Sequence, residues 1–410
     1  MNVTVQRDEL KLWVFLSLIL VGPALSLSLL KAHLLAVFFV ILVMVATALK
    51  NRVADKRMLA VFTLIVSCCL FWFLLHALSG AVNTRYFVYL FYTIFCFMVF
   101  VASFYALTRL RASALSDVLF VVCCINLIIA YAELVMGISL FGLNPVGDLF
   151  QIGSSFWANV NTNAYAVLIF SSAMYLLGAF KRYLIITIML LVYCVFIQAK
   201  LILAFTMLQF IFFIMYSNPR YRVYGFLTLA LFTPLFTYFF YGNIFSIFLA
   251  VEYAAALITD EHALKELVET GRLSSVVIRA YTLSEMIATI QDFELWHFLF
   301  GQGFGTINIS FMNNTLGVYE THYSPHFFFL EIFIYAGVLF YALYLISIRL
   351  LAGSFGMRYF FLLSPAFAAV IAVSSAVYFP PFYFLLALVA FLTKKRTLLK
   401  RTVYENPSPR

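Results

Sequence analysis

The chain has 410 residues, 65% of them hydrophobic and 10% charged, with a mean hydropathy of +1.03 and a formal net charge of +9. This composition excludes a water-soluble globular domain, because too little polar surface exists to cover the apolar mass, whereas lipid solvates it. The positive balance reads as lysines and arginines in cytoplasmic loops, so no nucleic-acid partner is expected.

Only helical bundles or closed barrels cross a bilayer, because backbone groups find no water there. The apolar runs are continuous and lack the two-residue alternation of barrel strands, so the expected fold is all-α, a polytopic transmembrane bundle. About twelve spans are predicted, near residues 12–30, 33–49, 58–78, 86–107, 117–136, 162–180, 183–198, 200–216, 223–243, 326–348, 359–378 and 382–393. The first, Leu12–Leu30, is long enough to span and lacks a signal-peptide cleavage pattern.

The chain then divides into residues 1–250 with spans one to nine, a large extracytoplasmic helical loop at 251–325, spans ten to twelve at 326–393, and a basic tail at 394–410. Placing the N-terminus in the cytoplasm puts twenty lysines and arginines inside. Only six (Lys31, Arg85, Lys200, Lys265, Arg272 and Arg279) fall outside or at the outer face. The opposite orientation inverts the positive-inside asymmetry, so both termini are expected in the cytoplasm and the 251–325 loop outside it.

Along the chain, the segment Gly137–Val160 carries turn chemistry at Asn144-Pro145 and Gly147-Asp148. It leads into Asn159-Val160-Asn161-Thr162-Asn163 at a span start. These asparagines read either as helix caps or as substrate-binding groups. The run Tyr183–Ser217 is too long for one ordinary span and is interrupted at Gln198-Ala199-Lys200. It reads as a tight helical hairpin with Lys200 at the outer tip; the alternative is one tilted helix with a costly interior lysine. All six cysteines lie in apolar stretches, which indicates neither a disulfide framework nor a metal site.

The long polar interruption, 251–326, holds four of the six histidines. It predicts an amphipathic helix over 252–270 and a second over 274–292. Gly301-Gln302-Gly303-Phe304-Gly305 lacks the spacing of a dinucleotide fingerprint and reads as a turn that lets backbones approach closely. His322 and His326 stand four apart, but Pro325 lies between them, so no metal is expected. A Gly-rich phosphate loop with lysine, a zincin helix and a nucleophile elbow are all missing from the sequence.

The order of Arg279, Leu299-Phe300-Gly301-Gln302-Gly303-Phe304-Gly305, His322, Ser324-Pro325-His326, Leu330-Glu331 and Gly337 resembles the O-antigen polymerase and O-antigen ligase family. Asn161-Thr162-Asn163-Ala164-Tyr165-Ala166 is similar to that family's Asn-x-Asn-x-x-Ala. Ala199-Lys200 stands where the family often has Ser-Arg, and Phe327 where it often has asparagine.

The resemblance implies a glycosyltransferase of the bacterial inner membrane that acts on polyprenyl-diphosphate-linked oligosaccharide without nucleotide, metal or other cofactor. Arg279 would stabilise the departing diphosphate, with Lys200 and Arg272 beside it. His322 or His326 would take the acceptor proton, leaving Arg279, His322 and His326 as the catalytic candidates. Asn161, Asn163, Gly303, Gly305, Tyr323 and Glu331 are the substrate-binding candidates. From the residues alone, Arg279 also suits an ion pair with Glu285 or Asp292, and the loop aromatics suit an interfacial belt as well as sugar stacking. A polymerase is the first expectation, a ligase transferring glycan to lipid A core the second, and a lipid-linked oligosaccharide flippase the reading of another class. Membrane lipid and a chain-length regulator protein are the further partners this implies.

Overall fold

The computed structural model describes residues 31–50, 56–138, 140, 152, 155, 160–197, 199–216, 222–234, 237, 275–313, 318–322, 328–352, 357–372 and 379–405. The helices in chain order are α1 (Lys31–Lys50), α2 (Lys56–Leu78), α3 (Thr84–Arg109), α4 (Ala112–Met136), α5 (Val160–Leu176), α6 (Phe180–Phe196) and α7 (Lys200–Met215). After a helical stretch over 222–234 come α8 (Ser275–Gln291), α9 (Leu295–Phe300), α10 (Phe328–Ala352), α11 (Met357–Ala372) and α12 (Pro380–Glu405). Among the described residues, four helices are long and apolar enough to cross a membrane, with windows at Ala60–Leu78, Arg85–Arg109, Ala112–Met136 and Leu330–Leu350; shorter apolar helices accompany them. The chain is membrane-embedded.

Short connections stack the helices up and down. Residues 79–83 join α2 to α3, 110–111 join α3 to α4, and 177–179 join α6 to α5. One end of the bundle therefore gathers Arg109, Arg111, Lys181 and Arg182, where Arg182 pairs with Asp117 and donates to Ser116 at 2.9 Å. Lys394 reaches over the Phe104 ring at the same end. The run Tyr183–Ser217 forms two packed helices, α6 and α7, which is the expected hairpin with Lys200 opening its second arm.

The core lies along α3 and α12, which pack side by side. Phe95–Phe104 of α3 and Phe382–Val389 of α12 are buried almost without interruption, as befits a helix apolar on every side. Some polar groups in this interior are matched with one another. The Tyr344 and Tyr383 hydroxyls bond each other, and the Phe97 ring packs edge-on to both. In α11, Pro365 interrupts the helix, and Gln209 of α7 inserts beside it. The Gln209 amide accepts from the Ala366 N–H at 3.1 Å and donates to the Leu362 carbonyl, bonding both backbone groups beside the proline.

The fold is mostly helical, as expected, but the loop at 251–325 is not helical throughout: Ile309–Asn313 (β1) and Val318–His322 (β2) pair as an antiparallel hairpin. Their β-branched and aromatic residues (Ile309, Phe311, Val318, Tyr319, Thr321) suit a pleated surface, and the helical reading of the loop overlooked them. The tenth expected span is present as α10 but kinked: Gly337 inside it has φ 70° and ψ 178°, a conformation reserved for glycine. The second loop helix, expected over 274–292, is α8; the first, over 252–270, lies outside the described residues, as does the first expected span.

Candidate functional site at the glycine turn

The site is built where two helix ends meet. Helix α9 stops at Gly301 (φ 82°, ψ 177°), and the first segment of α10 stops at Gly337 in nearly the same conformation. Each glycine lies against the peptide preceding the other. A Cβ on Gly301 would stand 2.4 Å from the Tyr335 carbonyl and the Ala336 nitrogen. One on Gly337 would stand 2.4 Å from the Leu299 carbonyl and 2.5 Å from the Phe300 nitrogen. No side chain fits at either place, so the glycine turn does serve close backbone approach.

A helix break inside an apolar bundle frees carbonyls that must find donors. Here they do. The Ile334 carbonyl accepts from the Gln302 N–H at 2.8 Å, the Tyr335 carbonyl from the Gly303 N–H at 3.0 Å, and the Ala336 carbonyl from Trp72 Nε1 at 2.8 Å. The last carbonyl of α9, on Phe300, accepts from Trp72 Nε1 at 3.1 Å and from His76 Nε2 at 3.1 Å. A carbonyl can only accept, so Nε2 carries the proton. In the neutral ring Nδ1 then accepts from the Tyr86 hydroxyl, 2.8 Å away. The chain next climbs over the α2–α3 connection: Gly303 sits against Ala81, and Gly305 against Arg85 and Tyr89. Phe304 is buried against Tyr86, Tyr335 and Phe340.

Around this junction the candidates distribute as follows. Gly303 and Gly305 form the turn itself. Glu331 is fully buried in the first turn of α10, where a carboxylate favours the helix N-terminus. His322 ends β2, its backbone paired with Ile309, so the hairpin continues the turn and returns His322 to within four residues of it. Arg279 belongs to α8, whose Tyr281, Thr282 and Met286 are buried, and α8 packs on α10. Lys200 opens α7 at the turn end of the bundle. His326, Tyr323 and Arg272 lie outside the described residues.

The asparagine pair behaves as two different residues. Asn161 is half-buried in the first turn of α5. Asn163 is fully buried; its carbonyl accepts from Asn126 and its amide donates to the Tyr193 hydroxyl at 3.2 Å. Both arms of Asn163 thus bind protein, tying α5 to α4 and α6. Nearby, the buried Glu133 carboxylate accepts the N–H groups of Leu140 at 2.8 Å and Ser155 at 2.8 Å, holding both to the end of α4. Among the described residues, no three His, Cys, Asp or Glu side chains converge as a metal site requires.

Sequence reasoning missed Trp72, His76 and Tyr86. Their signal is a donor-bearing pair one turn apart in an otherwise apolar span, which costs too much in lipid unless partners await it. Compared with known proteins, the chain matches no protein-family model, no curated protein and no solved structure.

Proposed function

We propose that the chain is a membrane glycosyltransferase of the O-antigen polymerase type, joining polyprenyl-diphosphate-linked oligosaccharide repeats at the outer face of a bacterial inner membrane. The observation that carries this reading is the junction of Gly301 with Gly337. It joins, backbone to backbone, the two halves of the motif order that resembles that family, Leu299–Gly305 and Glu331–Gly337. The hairpin bearing His322 follows directly from one half, and the helix bearing Arg279 packs on the other.

The orientation follows from charge. The bundle end rich in arginine and lysine faces the cytoplasm, so the turn end, the 251–325 loop and Lys200 face outward, with both termini inside and twelve spans in all. The lipid tail of the donor then lies in the bilayer while its sugar reaches the turn. An acceptor hydroxyl attacks the anomeric carbon, a new C–O bond forms, and the bond to the diphosphate breaks. The pair of electrons leaves with the polyprenyl diphosphate, whose charge Arg279, Lys200 and Arg272 stabilise. His322 or His326 receives the hydroxyl proton. Asn161, Glu331, Tyr323 and the turn glycines hold the sugars. No metal or nucleotide enters, because the diphosphate ester is already activated.

A flippase is favoured by one feature, the broken helix at Gly337, since transporters place substrates at such breaks. Against it, the carbonyls of Ile334, Tyr335 and Ala336 freed by this break are taken by donors of the protein rather than turned toward a cavity.

Glycan laddering in cells with and without the gene tests the reading. Loss of long chains with a single repeat still attached to core is the polymerase outcome. Loss of all attached glycan makes the chain a ligase, and lipid-linked repeats trapped on the cytoplasmic face make it a transporter.

A further inference from the structure

Helix α9 was expected to sit in water as part of the outer loop, yet its surroundings place it at membrane depth. Its last carbonyl, on Phe300, is held by Trp72 and His76, which lie inside the apolar window Ala60–Leu78 of α2. Trp72 stands about 9 Å along α2 from the window's end at Leu78, at roughly 1.5 Å per residue. On the other side of the junction, Ala336 lies inside the apolar window Leu330–Leu350 of α10. The C-terminal end of α9 is thus held by residues of two apolar windows.

The side chains of α9 agree. Leu295 is 75% exposed, Trp296 43% and Phe298 43%. On a water-facing loop this would be a costly surface for a six-residue helix. Phe71 and Leu74 of α2, which are 51% and 61% exposed inside an apolar window, flank the Trp72 that grips α9. The other side of α9 turns to protein: His297, Leu299 and Phe300 are half-buried, and the Phe300 ring lies beside that of Trp72. The charged residues Asp292 and Glu294 are exposed just before the helix, where the chain would leave the bilayer.

We infer that α9 is a re-entrant helix, seated in the leaflet at the turn end of the bundle, whose Leu295, Trp296 and Phe298 face lipid acyl chains. Backbone that turns around inside a membrane persists only where its polar groups are met by protein. The Phe300, Ile334, Tyr335 and Ala336 carbonyls meet that condition. The inference is independent of glycosyl transfer, and its test reads no glycan.

The full chain is reconstituted in phosphatidylcholine vesicles with and without bromine on the acyl chains. Tryptophan emission of the wild type minus that of Trp296→Phe isolates Trp296. This difference should fall at least twofold in brominated lipid and resist iodide. Quenching by iodide with no effect of bromine means that α9 faces water, and resistance to both means that protein covers it; either result overturns the inference. Should Trp296→Phe fail to fold, the unaltered protein is photolabelled with a phospholipid bearing a diazirine in mid-chain. Adducts on 295–298, as on 71–74, support the inference, and labelling of 71–74 alone refutes it.

Discussion

Gly301 and Gly337 occupy the same glycine-only backbone conformation and face each other across a gap that no Cβ fits. Alanine at either position adds a steric overlap to an unfavourable φ. Gly80, Gly137 and Gly178 share the positive φ but have nothing within 4 Å of an added Cβ. Alanine at those three should cost on the order of 1–2 kcal/mol. Gly301→Ala and Gly337→Ala should cost about 3 kcal/mol or more, because backbone must also move. Thermal unfolding in detergent, compared across the five variants, checks this order.

The Trp72 side chain bonds both halves of the junction, through Phe300 and Ala336. Trp72→Phe keeps an aromatic ring against Phe340 but leaves the Ala336 carbonyl without its donor. A loss of about 1–3 kcal/mol is expected. Phe71→Leu, at its exposed neighbour, should stay within about 0.5 kcal/mol. Chemical denaturation of the purified protein distinguishes the two.

Gln209 and Pro365 should be energetically coupled. With Pro365 present, Gln209→Leu removes the side-chain bonds to the Ala366 N–H and the Leu362 carbonyl in an apolar interior, at a cost of about 1–3 kcal/mol. Pro365→Ala lets α11 regain regular geometry, so the same Gln209→Leu change should then cost less. A double-mutant cycle should give a coupling of about 0.5 kcal/mol or more. Additive effects would mean that Gln209 does not substitute for the interrupted helix bond.

The catalytic assignment separates by chemistry. Arg279→Ala should abolish long-chain glycan in a protein that still inserts and unfolds normally, and Arg279→Lys should restore it only in part, since an ammonium lacks the planar fork. His322→Ala or His326→Ala should leave single lipid-linked repeats at the outer face. Chelators should not change any of these outcomes. Wild-type chain lengths in Arg279→Ala would return that arginine to a structural ion pair with Glu285 or Asp292.

Much of the architecture is legible in one dimension because lipid simplifies the rules. A run of apolar residues long enough to span becomes a helix wherever it lies, so the apolar helices, the hairpin at Lys200 and the buried cysteines follow from composition and length alone. The interruption at 251–326 marks a polar segment for the same reason. The glycine spacing at 301–305 likewise announces a close approach, since no other residue tolerates that backbone.

What the glycines approach was not legible. Gly301 meets Gly337, and Trp72 and His76 supply the missing donors, only because the last turns of α2, the end of α9 and the kink of α10 come together in space. Hydrogen bonds between groups more than 200 positions apart leave no local period to read. The helix break at Gly337 was hidden similarly, for an apolar sequence does not record that its carbonyls bond elsewhere. The small hairpin at 309–322 was hidden by its length, being too short to outweigh a helical reading of its surroundings. Asn163, a substrate candidate by motif, gives both arms of its amide to Asn126 and Tyr193, because folding packs α4, α5 and α6 against one another there. The sequence by itself determined that this protein lives in lipid and where its polar segment lies. The tertiary structure alone decided which backbone groups, freed inside that lipid, would satisfy one another, because each of them had to find a partner where water is excluded.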